Sequence, residues 1–131
     1  MIPVVTDLNI EFTTMPSLNY QMNIDDETII NKCDEIEAMK QVIYKILNTE
    51  RYQYLIYSWN YGIELADLFG EPVYYVVPEL ERRITEALMQ DERIESVTDF
   101  EFDTSKRGTV VCTFTANTIF GEVDAERTVL Y

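Results

Sequence analysis

Apolar and polar residues alternate with a period of two in three successive segments of the C-terminal third of the chain. Ile94, Phe100 and Phe102 are set among Glu95, Asp99, Glu101 and Asp103. Val110, Cys112, Phe114 and Ala116 form a second alternation, and Val123, Ala125 and Val129 form a third with charged residues between them. Ser105-Lys106-Arg107-Gly108 and Phe120-Gly121 supply the turns. Such a pattern predicts an antiparallel meander with one face apolar and the other wet.

Upstream the period becomes helical. Ile36, Met39, Ile43, Ile46 and Leu47 recur at helix spacing, and Asp34 followed by Glu37 makes a variant capping box, so a helix is expected over residues 35–48. Residues 18–24 alternate and predict a strand, as do residues 52–59, which are dense in aromatic and branched side chains. Ile63, Leu65, Ala66, Leu68 and Phe69 before Gly70 suit a short helix with a glycine stop. Val73, Val76, Val77, Leu80, Ile84, Ala87 and Leu88 keep helical spacing across Pro78. Either Pro78 kinks one long helix or it opens a shorter one; the long helix is favoured, because a strand from Val73 lacks a period of two. Residues 1–17, with Pro3 and Pro16, read as an extended N-terminal arm, and residues 18–131 as a single domain. The fold class is α+β: an antiparallel sheet containing the three-stranded meander, packed against two or three helices.

With 131 residues, 47% of them hydrophobic, the chain can bury one core. Neither a transmembrane run nor a signal peptide is read from the sequence, so synthesis in the cytoplasm as a soluble protein is expected. Cys33 and Cys112 have no metal or redox spacing and read as small buried thiols rather than a disulfide. The 24 acidic and 10 basic side chains leave a net charge of -14. Nucleic-acid binding relies on Lys and Arg displacing phosphate counterions, so no nucleic-acid partner is expected. An acidic surface fits a basic protein partner, or simple solvation. Histidine is absent, which removes the usual general base, the usual zinc ligand set and the Ser/His/Asp arrangement. Paired carboxylates among Glu35, Glu37, Glu50, Glu64 and Asp67 remain, but their placement has no catalytic specificity. No calcium loop or phosphate loop is present, so no metal, cofactor or small-molecule substrate is expected.

Three features invite contact with another protein. Glu50 and Arg51 follow the expected helix exit; Arg51 either caps the last helix carbonyls or presents its planar fork to a partner, and the residues alone leave these two equal. Tyr52, Tyr54, Tyr57, Trp59, Tyr61, Tyr74 and Tyr75 form an aromatic stripe that suits a binding platform, against which core packing is favoured for Tyr54 and Trp59. A terminal strand carrying Val123, Ala125, Arg127 and Val129 presents either an ordinary protected edge or an edge that accepts a strand from another chain.

Thr49-Glu50-Arg51 closing a helix, an aromatic segment, then Tyr61-Gly62-Ile63-Glu64-Leu65 resembles the XkdS-like prophage proteins. It is similar, more distantly, to the gene-25-type baseplate wedge proteins that initiate the sheath of contractile phage tails. The resemblance runs from about Ile29 to the C-terminus. It implies a baseplate wedge or anti-adaptor-like fold and a non-enzymatic structural role in a phage or prophage tail. By the same resemblance Glu50 and Arg51 dock on the helical core bundle of the wedge, with Tyr52 beside them as a further candidate contact, and the strand holding Val123, Ala125, Arg127 and Val129 joins the first sheath ring by strand exchange. The implied partners are other wedge proteins and sheath subunits, with no membrane. Two other readings remain open. One is a regulatory adaptor with a single soluble partner, since the fold family includes an anti-adaptor. The other is a carboxylate glycosidase, carried because the family has borne a lysozyme-like label.

Overall fold

The computed structural model describes residues 16–131. Strands β1 (Asn19–Asn23) and β2 (Thr28–Cys33) pair as a hairpin, α1 (Glu35–Leu47) and α2 (Val73–Met89) follow, and β3 (Ile94–Asp103), β4 (Thr109–Thr118) and β5 (Gly121–Leu130) end the chain. The expected N-terminal arm lies outside the described residues except for Pro16 and Ser17. Ser17 is buried and its hydroxyl donates to the Asp34 carboxylate, while the Pro16 carbonyl accepts from Arg93 Nη1 at 3.4 Å.

The meander forms as its alternation requires, antiparallel in the order β3-β4-β5. Central β4 buries Val110, Cys112, Phe114, Ala116 and Thr118 and leaves the residues between them half-exposed. In β3 two register shifts, between Ile94 and Ser96 and between Thr98 and Glu101, break the strict period, so Val97, Phe100 and Phe102 all reach the core. Both helices cover this face, α1 against β5 and α2 against β3. Met39, Ile43, Leu47, Ile84 and Leu88 meet Cys112, Phe114 and Val123 in the larger cluster. Leu68, Val76 and Leu80 meet Val110 and Val129 in the smaller one. Both cysteines are free and buried, and burial pushes the Cys112 thiol up to about 12.

The helix assignments hold with local changes. Asp34 caps α1 by accepting from the Glu35 amide at 2.8 Å, but Glu37 turns to Lys40 at 2.9 Å instead of closing a capping box. One helix runs through Pro78, which lies on its exposed side near the first turns. There the missing amide costs a single ladder bond, to the Tyr74 carbonyl. The short helix before Gly70 shrinks to a 3-10 turn at Ala66–Leu68.

Two strand expectations need correction. Residues 52–59 form no strand: they are irregular, with turns and bends, and all exposed, and a parallel bridge between Glu50 and Ile63 closes their base. Aromatic and branched residues favour strands only where a pleated, half-buried surface exists for them to pack on, and Tyr52 at φ 68 leaves the extended region at once. Conversely, β2 was not evident because adjacent Ile29 and Ile30 and the left-handed Asn31 (φ 64) interrupt its alternation. The hairpin stands on α1 through Gln41, whose amide accepts from Met22 N at 2.9 Å and donates to Tyr20 O at 2.7 Å.

At the exit of α2, Asp91 accepts from Arg93 at the backbone N (3.0 Å), Nε (2.9 Å) and Nη2 (2.7 Å). The Arg93 carbonyl in turn takes the Ile119 amide at 3.0 Å, so one residue ties α2, β3 and the β4–β5 turn. Burial raises the Asp91 pKa, yet the hydrogen bonds from Arg93 outweigh it and hold the carboxyl below its ordinary 3.8. A carboxylate with a lowered native pKa adds stability that is complete above the unfolded value and is lost as pH falls through the native one. Asp91→Asn should therefore lower unfolding free energy by roughly 1–3 kcal/mol at neutral pH. The gap from wild type in urea denaturation should close as the pH is taken below 3.8 and through the native value.

Candidate docking site at the exit of the first helix

The last turn of α1 is closed by its own side chains. Asn48 Nδ2 donates to Tyr44 O at 2.8 Å and Thr49 Oγ1 to Lys45 O at 2.7 Å. Arg51 is thus not needed as a cap and points elsewhere. Here the chain meets residue 63: Ile63 N donates to Thr49 O at 3.0 Å and Arg51 N to Ile63 O at 3.1 Å. Ile63 is buried in the core and holds this junction from below.

Glu50 and Arg51 clamp the junction from opposite sides. The Glu50 carboxylate accepts from the Leu65 amide (3.1 and 3.2 Å) and the Ala66 amide (3.2 Å), capping the 3-10 turn. Arg51 Nη2 donates to Gly62 O at 3.2 Å, and Nη1 reaches Glu86 at 3.1 Å and Glu64 at 3.8 Å. Its side chain is 11% exposed, and its Nε is enclosed without an acceptor among the described residues. Beside it, Arg83 Nη2 binds Asp67 at 3.0 Å, Nε binds Glu79 at 3.0 Å and Nη1 binds Glu64 O at 2.9 Å. The hydrogen bond from Arg83 holds the Asp67 carboxyl below the usual range, and Asp67 raises the Arg83 guanidinium in return. These groups line a cleft of about 220 Å³ formed by Arg51, Tyr52, Glu64, Arg82, Arg83 and Glu86.

Above the clamp, residues 52–60 are all exposed, while Tyr61 packs against the core. Tyr52 packs edge-on against Trp59 at 6.0 Å, Tyr54 against Tyr57 at 6.2 Å, and Tyr57 stacks on half-buried Tyr61 at 4.4 Å. Core packing of Tyr54 and Trp59 is not found: both are exposed, as are Tyr74 and Tyr75 on the first turn of α2.

Of the residues marked from sequence for partner contact, Glu50, Arg51 and Tyr52 share this site. Arg127 joins it by donating to Asn48 Oδ1 at 3.2 Å. Val123 and Val129 turn into the core and Ala125 packs against it, so at those positions β5 offers its backbone rather than these side chains. Glu64, Asp67, Arg83 and Glu86 were missed as members of the lattice, because their partners lie up to 35 residues away. Leu55 and Ile56 were missed too, although residues 52–63 lack any charge in a chain that is 26% charged. Among the described residues no group of three or more His, Cys, Asp or Glu could hold a metal ion, and no helix is long and apolar enough to cross a membrane.

The fold is α+β, with β5 paired on one side alone among the described residues and an apolar loop clamped at its base. The chain belongs to the contractile injection system sheath initiator family, whose model matches residues 7–121. It is also 41% identical over 91 residues to the phage-like element PBSX protein XkdS of Bacillus subtilis (strain 168), an alignment covering 66% of this chain and 64% of that relative.

Gly62 is the tightest point of the site. It sits at φ +92, and an added Cβ would meet the Thr49 carbonyl oxygen at 2.5 Å and the Arg51 nitrogen at 3.3 Å. Backbone atoms on both sides cannot yield independently. Gly62→Ala should therefore cost roughly 1–3 kcal/mol in urea denaturation, whereas Gly70→Ala, with nothing within 4 Å, should suffer only the strain of its positive φ.

Proposed function

We propose that this protein is a structural subunit that initiates the sheath of a contractile phage or prophage tail. On this reading it is made in the bacterial cytoplasm, docks on neighbouring baseplate wedge proteins through the α1 exit, and offers β5 to the first ring of sheath subunits. The carrying observation is β5 itself: ten residues paired with β4 on one side and with no strand on the other among the described residues. An incoming strand would satisfy that row of backbone groups. Glu122, Asp124 and Glu126 line the outer face of β5, so the accepted strand would carry basic residues beside them. Glu50 and Arg51 are bound internally, which supports a docking role in which they hold Tyr52 and the loop in place.

The ladder identifies the informative substitution. Thr118 pairs with Gly121 across a two-residue turn, and hydrogen-bonded pairs alternate from there, so Ala125 faces β4 with its amide while Glu126 points its amide to the open edge. Glu126→Pro should stay folded and dock on the wedge yet leave baseplates without sheath in electron micrographs of tails. Ala125→Pro should instead lose stability by breaking a ladder bond. Normal sheath on Glu126→Pro tails would mean that initiation uses another surface.

A structural role also predicts that the purified protein clears no cell-wall suspension between about pH 4 and 8, the span over which carboxylate acid/base pairs work. Clearing abolished by a single Glu→Gln change would establish a hydrolase.

A further inference from the structure

We propose that the loop of residues 52–61 is the anchor of the wedge contact: Leu55, Ile56 and Trp59 enter an apolar groove, rimmed by basic side chains, on a second protein of the same tail. The inference rests on the sheath-initiator reading and moves the contact from the charged pair to the loop that the pair holds.

Exposure at the tip is extreme for a chain with a formed core. Leu55 is 103% exposed, Ile56 85% and Trp59 81%. Large apolar side chains grouped in this way on a surface mark a binding site, and Trp and Tyr are the residues that most often dominate one. The base of the loop is also strained. Tyr52, a bulky residue, is held at φ 68, and Arg51 keeps its Nε enclosed without an acceptor among the described residues while binding Gly62 O. Such local costs persist where the surroundings over-determine them, commonly at functional sites. Presenting the loop from a fixed base reduces the ordering that binding would otherwise require.

Charge selects the occupant. The guanidiniums at the loop base are already paired: Arg51 with Glu64 and Glu86, Arg82 with Glu79 and Glu86, and Arg83 with Asp67 and Glu79. Four carboxylates against three guanidiniums leave the base acidic, on a protein of net charge -14. A partner whose rim carries Lys or Arg complements it. An anionic membrane, or a second copy of this chain, would have to approach against the net charge.

The test uses intact tails. Leu55→Asp/Ile56→Asp changes two solvent-facing side chains, so its melting temperature should match wild type. When it replaces wild type in the producing strain, its amount in purified tails should fall about tenfold or more, the size of one good anchor. Independently of any variant, hydroxyl-radical oxidation of Trp59, the single tryptophan, should drop several-fold between free chain and tail. Wild-type incorporation of the double variant, or Trp59 equally reactive in both states, would overturn the anchor and leave the sheath-initiator reading standing. Absence of the wild-type chain from tails would sink both. Binding to anionic vesicles, or self-association in sedimentation, that the double variant abolishes would overturn the protein groove in favour of a lipid surface or a second copy.

Discussion

The junction between the exit of α1 and residue 63 is the constraint on which the rest of the molecule depends. Two backbone hydrogen bonds there fix where α1 ends, while Ile63 plugs into the core below them. The Glu50 carboxylate sets the 3-10 turn that leads into α2, and Arg51 reaches α2 itself through Glu86. The two helices that cover the meander are therefore placed by one short stretch, which also closes the base of the exposed loop. Magnitudes show how far that control extends. Ordering a residue costs about 1–2 kcal/mol, and a hydrogen bond returns about 1 kcal/mol net. The bonds at the junction can fix the base of the loop, but they and the ring contacts fall short of ordering ten residues that bury little. On the proposed reading, a partner completes the tip.

What could be read from the sequence follows how local each cause is. The alternation of β4 and the helical spacing of α1 and α2 are set within a few residues, and the structure contains all three elements. Residues 52–59 were misread because strand propensity describes side chains resting on a sheet, and no sheet lies beneath them. β2 was hidden by the irregularity at Asn31. The Glu50-Arg51 pair was visible as a pair, but its targets were not. Two are the Leu65 and Ala66 amides and one is the Gly62 carbonyl, groups that every residue carries and no pattern marks. Glu86 is an ordinary surface carboxylate until α2 turns it toward Arg51.

The arginines explain how so acidic a chain folds without stranding charge. Arg51, Arg83 and Arg93 are each about a tenth exposed or less, and each ties a carboxylate near a chain reversal: Glu86, Asp67 and Asp91. In each pair the guanidinium is the enclosed member; Glu86 and Asp67 stay 46% and 61% exposed, and only Asp91 is enclosed with its partner, so removing a carboxylate would leave a costly buried cation. The consequence of the pairs is geometric: they fix the angles at which loops leave the helices. With these cations committed inward, the exterior is more one-sidedly acidic than the composition alone suggests.

The two surfaces argued for partners therefore differ in chemistry. The edge of β5 offers backbone groups beside Glu122, Asp124 and Glu126, so recognition there combines strand pairing with charge and weakens as salt rises. The loop tip offers Leu55, Ile56 and Trp59, whose burial salt does not screen. A subunit that must stay attached to one neighbour while receiving another gains from that separation. On the proposed reading the apolar contact would persist under conditions that loosen the edge, so the attachment would not compete with strand acceptance. In this chain both surfaces adjoin α1, whose exit is bonded to residue 63 at the base of the loop while the helix itself packs against β5.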